Sequence, residues 1–308
     1  MPLPARLWQP HGAVADSPSG SCPISASEQA KRLYRLAQFS IHRCRECDQV
    51  YLWPVPDPEV IRAQFAELYS SGTGSVPELE SYYGFCYENE PSNPLVQLYE
   101  HWLDAVERFR APGKLLDVGC GTGLFMDVAR KRGWDPYGVD ECSEAIEHAR
   151  GHFGLDVREG QFAEFRAEGR RFDAITMWDI IEHTREPVDL LQTARACLAA
   201  VGIIALSTPN QRSVIDVVAG ALYRGSGGLV RAPLEKFYID QHFLYFTPDS
   251  LERAVRRAGL QLLYLRRELT DLRRLTLTPA KRLLLRGLFL AARASGLENR
   301  ILAVASSE

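Results

Sequence analysis

The stretch Leu115-Leu116-Asp117-Val118-Gly119-Cys120-Gly121-Thr122-Gly123 decides the fold. The apolar run over 114–118 has the character of a buried strand, and glycines at alternate positions follow it. Such glycines let the backbone turn sharply and let a ligand lie against main-chain amides. A helix over 124–132, closed by Gly133, then points its N-terminus into the same crevice. The spacing is Gly-x-Gly-x-Gly, with Leu124 where a dinucleotide fingerprint has its third glycine. Asp117 sits before the turn, where a carboxylate suits a cationic amine and would repel a pyrophosphate.

Outward from that turn, strand and helix alternate. A second strand over 134–139 runs into Gly138-Val139-Asp140, and a carboxylate at such a strand end can grip both hydroxyls of a ribose; the plainer alternative is a turn cap. A helix over 144–152 follows, with Ser143 placed as its cap. Strands are expected over 155–158 and 172–177. Pro187 opens a helix expected to run to Ala200 and stop at Gly202, before a fifth strand over 203–207. Thr247-Pro248-Asp249-Ser250 begins a further helix that Gly259 ends, and two more strands are expected over 260–265 and 301–305. This alternation predicts an α/β fold, a doubly wound seven-stranded Rossmann-like sheet covered by helices on both faces.

The organisation divides into a flexible lead-in over 1–28, a small Cys-containing piece over 29–58, a helical lid or connector over 59–111, and the main domain over 112–308 with inserts at 210–245 and 270–297. In the connector, 60–69 and 95–109 look helical and 70–77 reads as loop. The long insert at 210–245 is expected to wall a ligand pocket. The basic, Leu-rich insert at 270–297 is expected to pack against helices or a second copy, a homodimer; a membrane surface and a lipid substrate are the alternative.

Composition excludes several classes. A net charge of -3 over 308 residues offers no field for a nucleic-acid backbone. No apolar run reaches the roughly 18 residues of a membrane span, no secretory signal is evident, and membrane contact is not expected. Seven scattered cysteines suit reduced thiols and a cytoplasmic setting.

The glycine stretch, then Gly138-Val139-Asp140, Phe172-Asp173-Ala174-Ile175, Glu182-His183 before Pro187, and His242-Phe243-Leu244-Tyr245-Phe246-Thr247-Pro248 together resemble the class I S-adenosylmethionine (SAM)-dependent methyltransferases. The resemblance is to the small-molecule branch, with ubiquinone-pathway O-methyltransferases and the tailoring enzymes of natural-product and polysaccharide biosynthesis. It implies that Asp117, Gly119, Cys120, Gly121 and Gly123 hold the methionine end of SAM and that Asp140, with Glu141 beside it, holds the ribose. It implies that adenine lies near Gln161 and Phe162, where many relatives carry an acidic residue, and that Trp178 and Asp179 face the cofactor. It also implies that the last strand runs antiparallel.

Methyl transfer to oxygen can require a base, and His183 and His242 are the candidates. The plain alternatives are a loop-fixing hydrogen bond for His183 and ordinary packing for His242. Asp179, Glu182 and His183 lie close enough in sequence to suggest a magnesium-type site. Cys44-x-x-Cys47 has the spacing of a zinc knuckle. In the resemblance a second knuckle precedes it, here Cys22-Pro23-Ile24-Ser25 with serine in place of the second cysteine. A structural zinc would then rest on Cys22, Cys44, Cys47 and either His42 or His11; a metal-free remnant is the alternative.

The function expected is methylation of a small molecule in a biosynthetic tailoring pathway, with oxygen the favoured acceptor. Nitrogen or carbon acceptors, a nicotinamide oxidoreductase and a catalytically silent scaffold are the rivals.

Overall fold

A computed structural model describes residues 20–57, 59–61, 63–64, 80–165 and 169–307. Most of the expected lead-in, His11, the 70–77 loop and much of the 60–69 helix lie outside the described residues; 59–61 and 63–64 are helical.

The main sheet has seven strands. They are β4 (Lys114–Val118), β5 (Asp135–Asp140), β6 (Asp156–Glu159), β7 (Phe172–Trp178), β8 (Leu198–Pro209), β10 (Gln261–Glu268) and β11 (Arg300–Ser306), in the order β10-β11-β8-β7-β4-β5-β6. The run β8-β7-β4-β5-β6 is parallel, and β11 lies antiparallel between β8 and β10, as expected for the last strand. The strand order reverses at β4, whose neighbours are β5 and β7, so the crevice at their carboxyl ends is where a ligand belongs.

Helices cover both faces. On one, α2 (Pro94–Glu107) buries Leu95, Leu103 and Val106 with Phe125 and Val128 of α3 (Leu124–Lys131). Asn93 starts α2 by accepting the Leu95 amide at 2.8 Å, with Pro94 at the first helical position. On the other, α5 (Pro187–Cys197) and α8 (Pro248–Arg257) bury Leu191, Ala194, Leu251 and Val255 against the sheet. Thr247 and Ser250 form a reciprocal capping box on α8.

Two local expectations fail. The helix after Pro187 stops at Cys197, and β8 already begins at Leu198 and runs through Gly202, because Leu198 pairs with Phe172 of β7. Sheet pairing there prevails over helix propensity. Ser143 does not cap α4 (Ser143–Phe153); Cys142 holds the cap position, and the Ser143 hydroxyl donates to Glu159 at 2.8 Å.

The Cys-containing piece forms a second, antiparallel sheet of β1 (Ala30–Arg35), β2 (Ser40–Cys44) and β3 (Val50–Trp53). Its fourth strand, β9 (Leu244–Tyr245), comes from the connection after β8, with Val50 opposite Tyr245 and Tyr51 opposite Leu244. Its core is shared with α6 (Val214–Gly225) and α7 (Ala232–Phe237), through Tyr34, Ile41, Leu52, Ala219, Leu234 and Tyr238. The piece is therefore stitched to the main domain just beyond His242.

Between β10 and β11 lie a 3-10 turn (Leu272–Arg274) and α9 (Pro279–Ser295). Phe289 and Ala292 of α9 pack beside Val214 of α6, while Leu283 and Leu290 stay exposed. No helix among the described residues is long and apolar enough to cross a membrane.

Candidate active site

The glycine turn is held by backbone geometry that only glycine adopts freely. Gly119, Gly121 and Gly123 have φ of 71°, 51° and 83°. A Cβ on Gly119 would meet Ile180 Cδ1 at 2.1 Å, and one on Gly123 would meet Leu155 Cδ1 at 2.6 Å. The loop also closes on the next strand, where the Gly119 amide donates to the Val139 carbonyl at 2.8 Å.

Strand register sets two carboxylates beside this loop. Asp117 of β4 lies opposite Gly138 on one side and Thr176 on the other. Its Oδ1 accepts the Thr176 hydroxyl at 2.7 Å, and its burial drives the carboxyl up to about 8 against that hydrogen bond. Asp140, at the end of β5, accepts the Gly121 amide at 2.7 Å on one oxygen and the Cys142 amide at 2.8 Å on the other. Burial raises its pKa, and the backbone donors work the other way. The turn-cap reading of Asp140 is what these bonds show, and the side chain still borders the crevice.

A cavity of about 1480 Å³ opens from this loop. Asp117, Gly119, Cys120, Gly121, Asp140, Glu141, Gln161, Phe162, Trp178 and Asp179 all border it, as do His183 and His242. Of the residues expected to bind the cofactor, Gly123 alone is not in its wall; it serves as the N-cap of α3. The Trp178 ring stacks on Trp102 at 4.5 Å between centroids and meets Phe125 edge-on. The insert at 210–245 walls the cavity with Ile215, Pro233, Lys236, Phe237 and Ile239.

Elsewhere in the wall His183 and His242 meet edge-on, centroids 4.7 Å apart. His183 Nδ1 lies 2.7 Å from the Gln241 carbonyl, which can only accept, so Nδ1 carries the proton. Burial depresses both imidazoles; for His242 the nearby His183 and Arg300 depress it further, to well below its usual value. Glu182 completes the group, its donor atom within 4.8 Å of those of the two histidines. It accepts the Thr208 hydroxyl at 2.9 Å, and burial, reinforced by Asp179, raises its pKa to about 8.

Asp179 does not join this group, although its charge reaches Glu182 and His183. Its carboxylate accepts from Arg300 and from the Ser207 hydroxyl at 3.1 Å, and its backbone has φ 58°. The set Asp179, Glu182 and His183 suggested by sequence adjacency is thus replaced by Glu182, His183 and His242. Two imidazoles and one carboxylate suit a borderline divalent ion such as zinc better than the oxygen-seeking magnesium.

Outside the cavity wall, the thiols of Cys22, Cys44 and Cys47 converge, all sulfurs within 4.8 Å of one another. The Cys22 and Cys47 sulfurs share a hydrogen bond at 3.4 Å, which lowers the Cys22 thiol to about 7 and raises that of Cys47. The group closing the fourth side is the Ser25 hydroxyl, 3.3 Å from Cys44 Sγ. His42 is not brought into the cluster; its ring stacks on Tyr51. Three thiolates fit a zinc site, but the fourth position holds a poor ligand.

Three neighbours of the candidate site residues escape the sequence reading: Thr176 beside Asp117, Arg300 beside Asp179, and Arg274 in the cavity wall. The one signal in the sequence is Arg300, a charged residue opening an otherwise apolar strand.

Comparison with known proteins agrees with this geometry. A methyltransferase-domain family model matches residues 96–265. A ubiquinone biosynthesis O-methyltransferase of Actinobacillus pleuropneumoniae is 30% identical over 122 residues, which is 36% of this chain and 52% of that protein. One from Cereibacter sphaeroides is 30% identical over 154 residues, 48% of this chain and 60% of that protein. The chain thus spans only about half the length of the curated relatives it matches. The crystal structure of a magnesium protoporphyrin IX methyltransferase from Synechocystis with bound SAH superposes with a TM-score of 0.53 at 13% identity, covering 82% of this chain and all (100%) of that one; the likeness is one of fold. With the family model spanning more than half of the sequence, the chain belongs to the methyltransferase-domain family.

Proposed function

We propose that the chain is a SAM-dependent methyltransferase whose acceptor is a small molecule, with oxygen the atom methylated. The observation that carries this reading is the pair of carboxylates, Asp117 and Asp140, at the ends of adjacent parallel strands on either side of the glycine turn. Asp117 takes the ammonium of SAM, which offsets the penalty of a buried carboxylate. Asp140 takes the ribose hydroxyls, Phe162 flanks the adenine, and Gln161 meets its amino group through the side-chain oxygen. Trp178 borders the reacting end.

The sulfonium needs little activation, so the protein's contribution is alignment and exclusion of water. The acceptor oxygen attacks the methyl carbon, the carbon–sulfur bond breaks, and sulfur leaves as a neutral thioether. The proton of the acceptor hydroxyl passes to His242, with His183 oriented by Gln241 beside it. The relatives named ubiquinone biosynthesis O-methyltransferase support an oxygen acceptor.

The test is calorimetric titration with SAM and, separately, with a nicotinamide dinucleotide. Micromolar binding of SAM alone is expected. Binding of the dinucleotide alone, or of neither, rejects the proposal.

A further inference from the structure

Among the buried cations of the described residues, Arg300 bonds Asp179 and Ser207, whereas two of the three guanidinium nitrogens of Arg274 are left without a bond. Arg274 is 5% exposed, yet its Nε and Nη1 have no hydrogen-bond partner, and no carboxylate among the described residues stands within ion-pair distance. The guanidinium carbon lies 5.0 Å from the centre of the Tyr82 ring. The residue ends the 3-10 turn Leu272–Arg274, which packs against α1 (Glu80–Phe85) and α2, and it borders the same cavity as Asp117, Gly119 and Tyr99. Asp271, the carboxylate within its electrostatic reach, bonds Arg273 instead. A buried guanidinium with no ion pair and two nitrogens unbonded is expensive, so the position calls for an anion that arrives with a ligand.

The neighbourhood says which end of the cavity that anion occupies. The Tyr82 ring that faces Arg274 lies one helical turn before Cys86, whose carbonyl accepts the hydroxyl of Thr122 in the glycine turn at 2.5 Å. Arg274 therefore belongs to the glycine-turn end. An α-amino acid carries its ammonium and carboxylate on one carbon, so a carboxylate site near an ammonium site is the complement of that group.

Resting on the reading of Asp117 given above, we propose that Arg274 receives the α-carboxylate of the amino-acid end of SAM. Asp117 and Arg274 then form a two-armed clamp, one arm from β4 and the other from the turn after β10. A planar guanidinium suits this task, because it can bond both carboxylate oxygens at once.

The test is titration of the full chain and of Arg274→Met with SAM and with decarboxylated SAM, which keeps the ammonium and lacks the carboxylate. The wild type should prefer SAM by about 10- to 100-fold, the range of a hydrogen-bonded charge pair. Arg274→Met should lose that preference while binding decarboxylated SAM as the wild type does, and its thermal midpoint without ligand should rise, since an unpaired buried charge has gone. A preference that survives the substitution overturns the proposal. So does equal weakening toward both ligands, which marks a structural role, or a raised KM for the acceptor with SAM affinity intact, which assigns the carboxylate to the acceptor. A wild type that binds both ligands equally refutes the clamp but not the SAM reading; one that binds neither refutes both.

Discussion

The carboxylate of Asp140 accepts the Gly121 amide at 2.7 Å, so the residue that ends β5 also fixes the shape of the turn that follows β4. One side chain thus builds the crevice, and under the proposed function it also meets the ribose. Asp140→Ala should lower SAM affinity by about 100-fold or more, since it removes a charged acceptor and loosens the turn. Asp140→Asn keeps one oxygen and should lose only about 10-fold. Calorimetry on the two variants checks this, and an Asp140→Ala protein with unchanged affinity removes the ribose assignment.

SAM binding should depend on pH through Asp117. Burial holds this carboxyl near 8 in the free protein, whereas the ammonium of the ligand demands the ionised form. Below that value the site must first lose a proton, so affinity should rise about tenfold per unit from pH 6 toward 8. Above about 8 the ligand's own amine begins to deprotonate and the gain ends. Titrations in buffers of different ionisation enthalpy should register proton release near pH 7, and Asp117→Asn should flatten the profile. Affinity independent of pH over this range contradicts the pairing.

Glu182 should make the unliganded protein less stable as pH rises. Its folded pKa of about 8 lies above the ordinary 4.5, chiefly through burial, so the folded state binds the extra proton between those values. The stability it contributes is whole below about 4.5 and is lost as pH climbs through 8. Glu182→Gln, which cannot ionise, should match the wild type near pH 4 and exceed it by a few kcal/mol at pH 8.5. Denaturant melts at the two values decide it; parallel losses in both proteins would show that Glu182 is ionised in the fold.

Much of the fold is written locally. The β4 turn, the capping box of Thr247 and Ser250, and the glycines that end helices each act within a few residues, so sequence reading finds them. What it misses is set at a distance. Leu198 becomes strand because Phe172 is there to pair with, and Thr176 reaches Asp117 only through the register of β7 against β4. The metal-like group has the same character: Glu182 and His183 are adjacent in sequence, but His242 joins them across 59 residues while Asp179, three residues away, bonds Arg300. The second sheet was illegible for a similar reason, since β9 comes from nearly two hundred residues beyond β3.

The two histidines should separate by role. His242→Ala should reduce kcat by about 10² to 10⁴ while SAM affinity holds, the range for loss of a general base. His183, whose Nδ1 proton is committed to Gln241, should act by positioning; His183→Ala should cost less in kcat and should raise the acceptor KM. The measurement is steady-state kinetics with SAM titrations alongside, and full turnover in both variants rejects a histidine base.

The thiol cluster offers a test by completion, not removal. Cys22, Cys44 and Cys47 already supply three sulfurs, and Ser25 stands 3.3 Å from Cys44 Sγ in the remaining position. A serine hydroxyl stays protonated at neutral pH and donates weakly to zinc, whereas a fourth thiolate closes a tetrahedral structural site. Ser25→Cys should therefore raise zinc content to about one ion per chain and raise the thermal midpoint of the small sheet, an increase that a chelator reverses. The wild type should hold less zinc when purified side by side. Should both proteins carry a full equivalent, serine suffices or another residue completes the site, and the argument from the missing thiolate fails.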